Sequence, residues 1–291
     1  MIGAPLNAAE LAAYGERIGL AGPFSPDLAT LRRVHAAHCA AIPFENLDVQ
    51  LGQPPSIDPG AIFAKLVHAR RGGWCYEQNG VLGRALAAMG FAVTRISAGV
   101  VRDDTGLPAM GSHLALLVTL DRPWLVDGGF GSWIGAPLPL ERGAWALSPW
   151  PVAIDLLNDG RWELRVDLGN RAMRYVFAAE PADEALLADM CHWQAHDPQS
   201  NFVLNCVVQR CRREADLGGE ADLALRGRVL TETDAAGSRP RLLADADELV
   251  AVLRDRFDLD LPHVAQIWPA IVARHSALFP DQADPATPPT T

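Results

Sequence analysis

The sequence has no uncharged apolar stretch that reaches the roughly 18 residues a membrane-spanning helix needs. It also lacks a basic segment followed by an apolar core near its first residue, so we predict no signal peptide. The net charge of −10 argues against nucleic acid or an anionic membrane as a partner. The cysteines number only five, an odd count, which favours reduced thiols in a cytoplasmic protein over a disulfide framework.

The 291 residues have an ordinary globular composition and suffice for more than one compact unit. Helical spacing of apolar residues dominates 1–90. Short apolar or alternating runs, separated by Gly, Pro, Asn or Asp, follow in 91–195 and are typical of a small antiparallel barrel. The pattern in 196–280 is mixed, and the composition of 281–291 predicts a disordered tail. The expected fold class is α+β, with helical, β-rich and mixed α/β units in that order.

Several elements can be placed within these units. Asn7 and Ser25 are expected N-caps of the first two helices, and a third helix is predicted over 58–69 with proline in its first turn. In the mixed unit, we predict a strand near 201–211 and an amphipathic helix over 245–257.

Cys75 lies in the most informative segment, RRGGWCYEQNG at 70–80. We expect Gly72 and Gly73 to let the backbone turn sharply, so that Cys75 falls in the first turn of a helix ending near Met89. Unpaired N–H groups and the positive end of the helix dipole favour the thiolate there. On position alone, a buried structural cysteine at a helix start is an equal alternative.

A nucleophilic cysteine needs a base and a group that orients the base. His113 begins a strongly apolar strand, and Asp127 ends the next one just before two glycines. Neighbouring antiparallel strands can bring these ends together at one rim of a barrel. Each residue alone could be structural, but thiol, imidazole and carboxylate, each at the end of an element, together favour a catalytic triad.

The same blocks carry a resemblance to a known family. In order along the chain they are IPFENLD at 42–48, RRGGWCYEQNG at 70–80, SHLALLV at 112–118, VDGGFG at 126–131, HDPQSNF at 196–202 and the run 243–257. With these blocks the sequence resembles the arylamine N-acetyltransferase family over roughly residues 30 to 260. The ordered set is specific, although each block alone is weak.

The resemblance implies a helical bundle, a central antiparallel β-barrel and a C-terminal α/β lid around a cysteine-protease-like Cys-His-Asp core. Here the triad would be Cys75, His113 and Asp127. It also implies acetyl-CoA as co-substrate, an arylamine or aryl hydrazine acceptor, and an acetyl-cysteine intermediate with ping-pong kinetics. No tightly bound cofactor, metal, nucleic acid or membrane partner is expected. A role in xenobiotic metabolism is expected, and a homodimer is left open.

Further contacts are assigned around this core. The expected acyl-donor contacts are Gly128, Gly129, Phe130, Gly131, Ser200 and Phe202, with the glycine-rich turn offering N–H groups to the pyrophosphate. The expected acceptor wall consists of Phe44, Val100 and Phe130. We also expect an ion pair between Glu45 and Arg70 that steadies the cysteine loop. Gln78, where the family usually has an apolar residue, is assigned to the pocket lining.

Four alternatives remain at this stage. A zinc site could be drawn from Cys191, His192, His196, Cys206 and Cys211, although their spacing forms no familiar knuckle. An amide synthase of the same superfamily would act on a polyketide thioester. A cysteine thioesterase or hydrolase would use the same triad, with water resolving the acyl-enzyme. A non-enzymatic binding module is the fourth.

Overall fold

A computed structural model describes residues 3–101, 105–131, 133–169, 171–212 and 221–280. The predicted disordered tail, 281–291, lies outside the described residues. No helix within them is long and apolar enough to cross a membrane. All five cysteines are free thiols.

The helices fall into a group before the first long strand and a group after the last strand of the larger sheet. They are α1 (Ala8–Ile18), α2 (Leu28–Ala41), α3 (Leu47–Gln50), α4 (Pro59–Phe63), α5 (Cys75–Ala88), α6 (Glu184–His196), α7 (Asn201–Leu204), α8 (Ala246–Phe257) and α9 (Trp268–Leu278). A π-helical turn over Ala64–His68 continues α4, and a 3-10 helix over Pro262–Ile267 precedes α9.

The strands form two antiparallel sheets. They are β1 (Phe44–Glu45), β2 (Ala92–Val101), β3 (Pro108–Thr119), β4 (Pro123–Val126), β5 (Leu138–Pro139), β6 (Gly143–Trp145), β7 (Val152–Leu156), β8 (Trp162–Asp167), β9 (Ala172–Phe177), β10 (Val207–Arg212), β11 (Ala221–Arg226), β12 (Val229–Asp234) and β13 (Gly237–Leu242). The larger sheet has the order β5-β4-β3-β2-β9-β8-β7-β6, and the smaller has the order β1-β10-β11-β12-β13.

The predicted α+β class is confirmed, with one refinement of the barrel. Among the described strands no pairing joins β5 to β6, so the larger sheet curls without closing. The first core lies between this sheet and the N-terminal helices. Leu82 and Leu86 of α5 are fully buried there against Leu116 and Val118 of β3. Each such leucine contributes about 1.5–3 kcal/mol by burial, which fixes α5 to the sheet.

Local predictions at helix starts were partly right. Asn7 caps α1 in a full capping box, and Asp245 caps α8. The N-cap of α2 is Asp27, whose carboxylate accepts a hydrogen bond from the Thr30 N–H at 2.8 Å. The prediction of Ser25 as this N-cap was therefore wrong. The helix predicted over 58–69 turns π-helical after Phe63.

The N-terminal part of the chain also contributes to the C-terminal sheet. The two-residue strand β1 pairs with β10, with Phe44 opposite Gln209. The strand predicted over 201–211 begins only at Val207, because Ser200 caps the short helix α7 instead. An isolated bridge between Phe44 and Gly73 holds the loop before Cys75 against β1 of the smaller sheet. The division at 90/91 and 195/196 stays a prediction.

Candidate active site

Cys75 is the first residue of α5, and its side chain is 3% exposed. The two preceding residues are glycines because neighbouring atoms lie too close to leave room for a Cβ. A Cβ on Gly72 would lie 2.3 Å from the Pro43 carbonyl oxygen, and one on Gly73 would lie 2.6 Å from a carboxylate oxygen of Glu77. The left-handed residue of the loop is Arg70, with φ 52°. The predicted sharp turn is therefore at Arg70, and the glycines allow the loop to pack tightly.

The predicted ion pair between Glu45 and Arg70 was wrong by one residue. Arg71 Nη2 lies 2.8 Å from Glu45 Oε1 and 2.7 Å from Asp48 Oδ1. The left-handed backbone at Arg70 explains the difference. The carbonyl of Arg70 accepts a hydrogen bond from Arg17, and it is the next side chain that faces the two carboxylates.

A second cation holds the start of α5 from the other side. Lys65 Nζ lies 2.9 Å from Glu77 Oε1 and 2.8 Å from Asp48 Oδ2. Glu77 Oε2 accepts a hydrogen bond from the Trp74 N–H at 3.2 Å. Burial raises the pKa of Glu77 to about 7, although Lys65 acts in the opposite direction. Buried charges thus hold the backbone immediately before Cys75.

The structure brings together the three residues predicted as a triad. His113 Nε2 lies 2.6 Å from Asp127 Oδ2, and both side chains are at most 2% exposed. The Cys75 thiol also interacts with His113, and its Sγ lies 4.0 Å from the Ser112 carbonyl oxygen. Burial lowers the pKa of His113, but the Asp127 carboxylate and its hydrogen bond outweigh this, with a smaller part from Cys75, and raise that pKa to about 10.

Asn79 is a residue that the sequence reasoning missed. Its Nδ2 donates to Asp127 Oδ1 at 2.8 Å and to the Leu114 carbonyl at 2.6 Å, and its Oδ1 accepts from the Gly128 N–H at 2.9 Å. Burial alone would raise the pKa of Asp127, but His113 and the hydrogen bonds from Asn79 and Gly129 hold it below its usual value. The available signal was its position four residues after Cys75, on the same face of α5.

The turn Gly128–Gly131 packs against the nucleophile. A Cβ on Gly129 would lie 2.6 Å from Cys75 Cα, so the position needs glycine. The N–H groups of Gly128 and Gly129 already donate to Asn79 and Asp127. These two N–H groups are therefore not free to bind a pyrophosphate. The expectation from the sequence, that they bind it, does not hold for Gly128 and Gly129. Contact of this turn with the acyl donor stays a prediction.

The aromatic residues predicted for the pocket lie in two adjoining clusters. Phe44 and Phe202 pack in the cluster that contains Cys75, with their ring centroids 6.0 Å apart. Phe130 and Val100 belong to the core of the curled sheet. The Phe130 ring lies 5.2 Å from the His113 ring. Because His113 also interacts with Cys75, it connects the two clusters. Tyr175, which the sequence did not single out, has its ring 4.9 Å from His113.

Two other predicted residues have structural partners. Ser200 is fully buried, and its Oγ donates to the Gln194 carbonyl at 2.6 Å and accepts from the Phe202 N–H. Gln78 was assigned to the pocket lining, but it is fully buried and bonded to His38 Nε2 at 2.7 Å and to backbone carbonyls. The assignment of Gln78 to the pocket was wrong, because its amide joins α2 to α5.

The zinc alternative has no support in the geometry. Within the described ranges, no group of three or more His, Cys, Asp or Glu is placed to hold a metal ion. Cys191 is buried in the cluster of Cys75, whereas Cys206 is buried beneath α8 in a different core.

Comparison with known proteins identifies the family that this chain resembles. A family model described as N-acetyltransferase matches residues 27–266. An arylamine N-acetyltransferase of Mycolicibacterium smegmatis is 36% identical over 267 residues, which cover 89% of this chain and 94% of the relative. A solved arylamine N-acetyltransferase of Mycobacterium marinum has a TM-score of 0.81 at 32% identity, covering 90% of this chain and 98% of that one.

The M. marinum enzyme has also been solved in complex with CoA. That structure has a TM-score of 0.79 at 33% identity and covers 91% of this chain and 97% of the other. Similarity of this extent includes every block on which the sequence resemblance rested. The chain belongs to the N-acetyltransferase family whose members include the arylamine N-acetyltransferases.

Proposed function

We propose that this protein transfers an acetyl group from acetyl-CoA to an arylamine or aryl hydrazine, with Cys75 as the covalent nucleophile. The observation that carries the proposal is the buried contact of His113 with Asp127, beside a thiol at the start of α5. Membership of the acyltransferase family supports this choice of reaction.

In the first half-reaction, His113 takes the proton of the Cys75 thiol, and the imidazolium stays paired with Asp127. The thiolate attacks the thioester carbonyl carbon. The carbon–sulfur bond to CoA then breaks, and the leaving thiolate takes the proton back from His113. The products are acetyl-Cys75 and free CoA.

In the second half-reaction, the neutral amine attacks the acetyl carbonyl. His113 accepts the amine proton and returns it to the Cys75 sulfur as the amide leaves. The Cys75 N–H, at the start of α5, is our candidate donor to the oxyanion. Because CoA leaves before the amine binds, one cleft can serve both substrates in turn.

The substrate contacts expected from the sequence are part of this proposal. Phe44, Phe130 and Val100 would wall the acceptor ring, and Phe202, which covers Trp74 with ring centroids 5.6 Å apart, would lie along the acyl donor. The CoA complex of the M. marinum relative supports a site for acetyl-CoA in this fold. The glycine turn and Ser200 would shape that site through backbone contacts.

The setting of the enzyme is also proposed. Free thiols at all five cysteines suit a reducing compartment such as the cytoplasm. A homodimer stays open, and light scattering of the purified chain would test it.

Two other reactions use the same triad, namely amide formation on a polyketide thioester and simple hydrolysis. Neither is favoured by relatives named as arylamine N-acetyltransferases that align over nearly their whole length. The test measures CoA release from acetyl-CoA with aniline, with an alkyl amine and without acceptor. We expect fast release only with aniline, because alkyl amines are mostly protonated at neutral pH. Equal release in all three would indicate a thioesterase.

A further inference from the structure

Gln209 is a buried polar residue on an apolar face next to the nucleophile. It lies on β10, is 2% exposed, and pairs across the sheet with Phe44. Val207, two residues earlier on the same face of β10, and Phe44 both pack in the cluster that contains Cys75. The residue between them, Val208, belongs to the separate core beneath α8. The face that carries Gln209 therefore faces the candidate active site.

The Gln209 carboxamide lies directly against the glycine turn. A Cβ on Gly131 would lie 2.6 Å from Gln209 Oε1 and 3.3 Å from its Nε2. Gly131 also has φ 60°, a left-handed backbone angle that favours glycine, and a Cβ there would have to displace the Gln209 carboxamide. Gly129 in the same turn contacts Cys75, so the turn that touches the nucleophile also touches the amide of Gln209.

This amide group has an unused donor. Among the described residues, Gln209 Nε2 has no hydrogen-bond partner although the atom is buried. Buried polar atoms without a partner are rare in native proteins, and each needs an explanation. The Trp74 Nε1–H group, next to Cys75 in sequence, is a second such donor. Two unused N–H donors thus border one apolar cluster, which suggests that a ligand supplies their acceptors.

We propose that Gln209 Nε2 donates a hydrogen bond to an amide carbonyl of the pantetheine arm of the acyl donor. The inference rests on acetyl-CoA as the donor. The pantetheine arm carries two neutral amides and adjoins the thioester, so its carbonyls pass close to Cys75 when the thiol is acylated. A neutral donor among apolar side chains suits a neutral carbonyl better than a phosphate, whose charge would be costly to bury there. An aniline offers no carbonyl to this group.

Ping-pong kinetics separate the two substrates. The ratio kcat/KM for acetyl-CoA reports only on acylation, and that for aniline reports only on the second half-reaction. We expect Gln209→Leu to lower kcat/KM for acetyl-CoA about tenfold, the value of one neutral hydrogen bond, and to leave that for aniline unchanged. With p-nitrophenyl acetate as donor, which has no pantetheine arm, Gln209→Leu and wild type should acylate at equal rates.

The control is Gln199→Leu, the same change at an exposed position. Gln209→Met, an unbranched side chain of similar length, is a second variant in case Leu disturbs the sheet. Equal losses with both acyl donors would mean that Gln209 only supports the fold, and no loss with either would mean that its partner is water. Either result overturns the inference. A wild type that fails to use acetyl-CoA at all would instead overturn the proposed function.

Discussion

Gly129 packs so closely against Cys75 that a Cβ added to it would lie 2.6 Å from Cys75 Cα and 2.9 Å from Asn79 Nδ2. The glycine turn after Asp127 therefore forms part of the wall that places the nucleophile. The turn is buried up to Phe130, and its conformation is held by the hydrogen bonds of Asn79 and Asp127.

Replacing Gly129 with alanine should therefore displace Cys75 or Asn79. We expect a loss of stability of about 1–3 kcal/mol, typical of overpacking, and a fall in kcat of more than tenfold. Urea unfolding and steady-state kinetics measure the two effects. Gly135→Ala is the control, because nothing lies within 4 Å of a Cβ at that position. Normal activity in Gly129→Ala would contradict the proposed packing of the nucleophile.

Asp127→Asn tests the partner of His113. The amide keeps the size of the carboxylate but removes the negative charge that stabilises the imidazolium, so kcat should fall by about 10⁴ while the fold persists. Circular dichroism and single-turnover acylation give the two readouts. The exposed Asp121, altered to Asn in the same way, should leave acylation unchanged. A loss of less than tenfold for Asp127→Asn would make Asp127 a turn residue only.

His38 predicts a pH dependence of stability. It is fully buried between Tyr14 and Gln78, and burial lowers its pKa from 6.5 to about 3. Between those values the unfolded chain binds a proton that the folded chain does not, so the free energy of unfolding falls as pH falls. Protonation of this histidine in the unfolded chain should lower the free energy of unfolding by about 2 kcal/mol between pH 7 and pH 5.

The measurement is urea unfolding of wild type and His38→Gln at both pH values. The variant should lose about 2 kcal/mol less than wild type on acidification, whatever its stability at pH 7. His263→Gln, at an exposed position, is the control. Identical pH dependence in wild type and His38→Gln would show that His38 is not held neutral by the fold.

The sequence was most informative where chemistry requires a residue at the end of an element. Cys75 begins α5 and Asp127 directly follows β4, as predicted, whereas His113 lies inside β3 (Pro108–Thr119) and not at its start. The structure nevertheless brings the three residues together. The α+β class followed from the change of apolar period near residue 91, which reflects the different side-chain geometry of helices and strands. The fold implied by the family resemblance, with helices first, then a barrel and then an α/β lid, agreed with this change of period.

What the sequence did not provide depends on single backbone angles and on contacts between distant segments. The ion pair was assigned to Arg70 instead of Arg71, because spacing does not show that Arg70 is left-handed. Asn79 was missed because an asparagine inside a helix looks like any polar residue until Asp127 lies beside it. The strand β1 has only two residues, too few for any periodicity.

The most direct test of the account is the intact mass of the protein after brief incubation with acetyl-CoA and no acceptor. We expect the addition of one acetyl group, located on Cys75 by peptide mapping, absent in Cys75→Ala and removed when aniline is added. A stable protein without added mass that still acetylates aniline, or an acetyl group on another cysteine, would contradict the central claim that Cys75 carries the acetyl group.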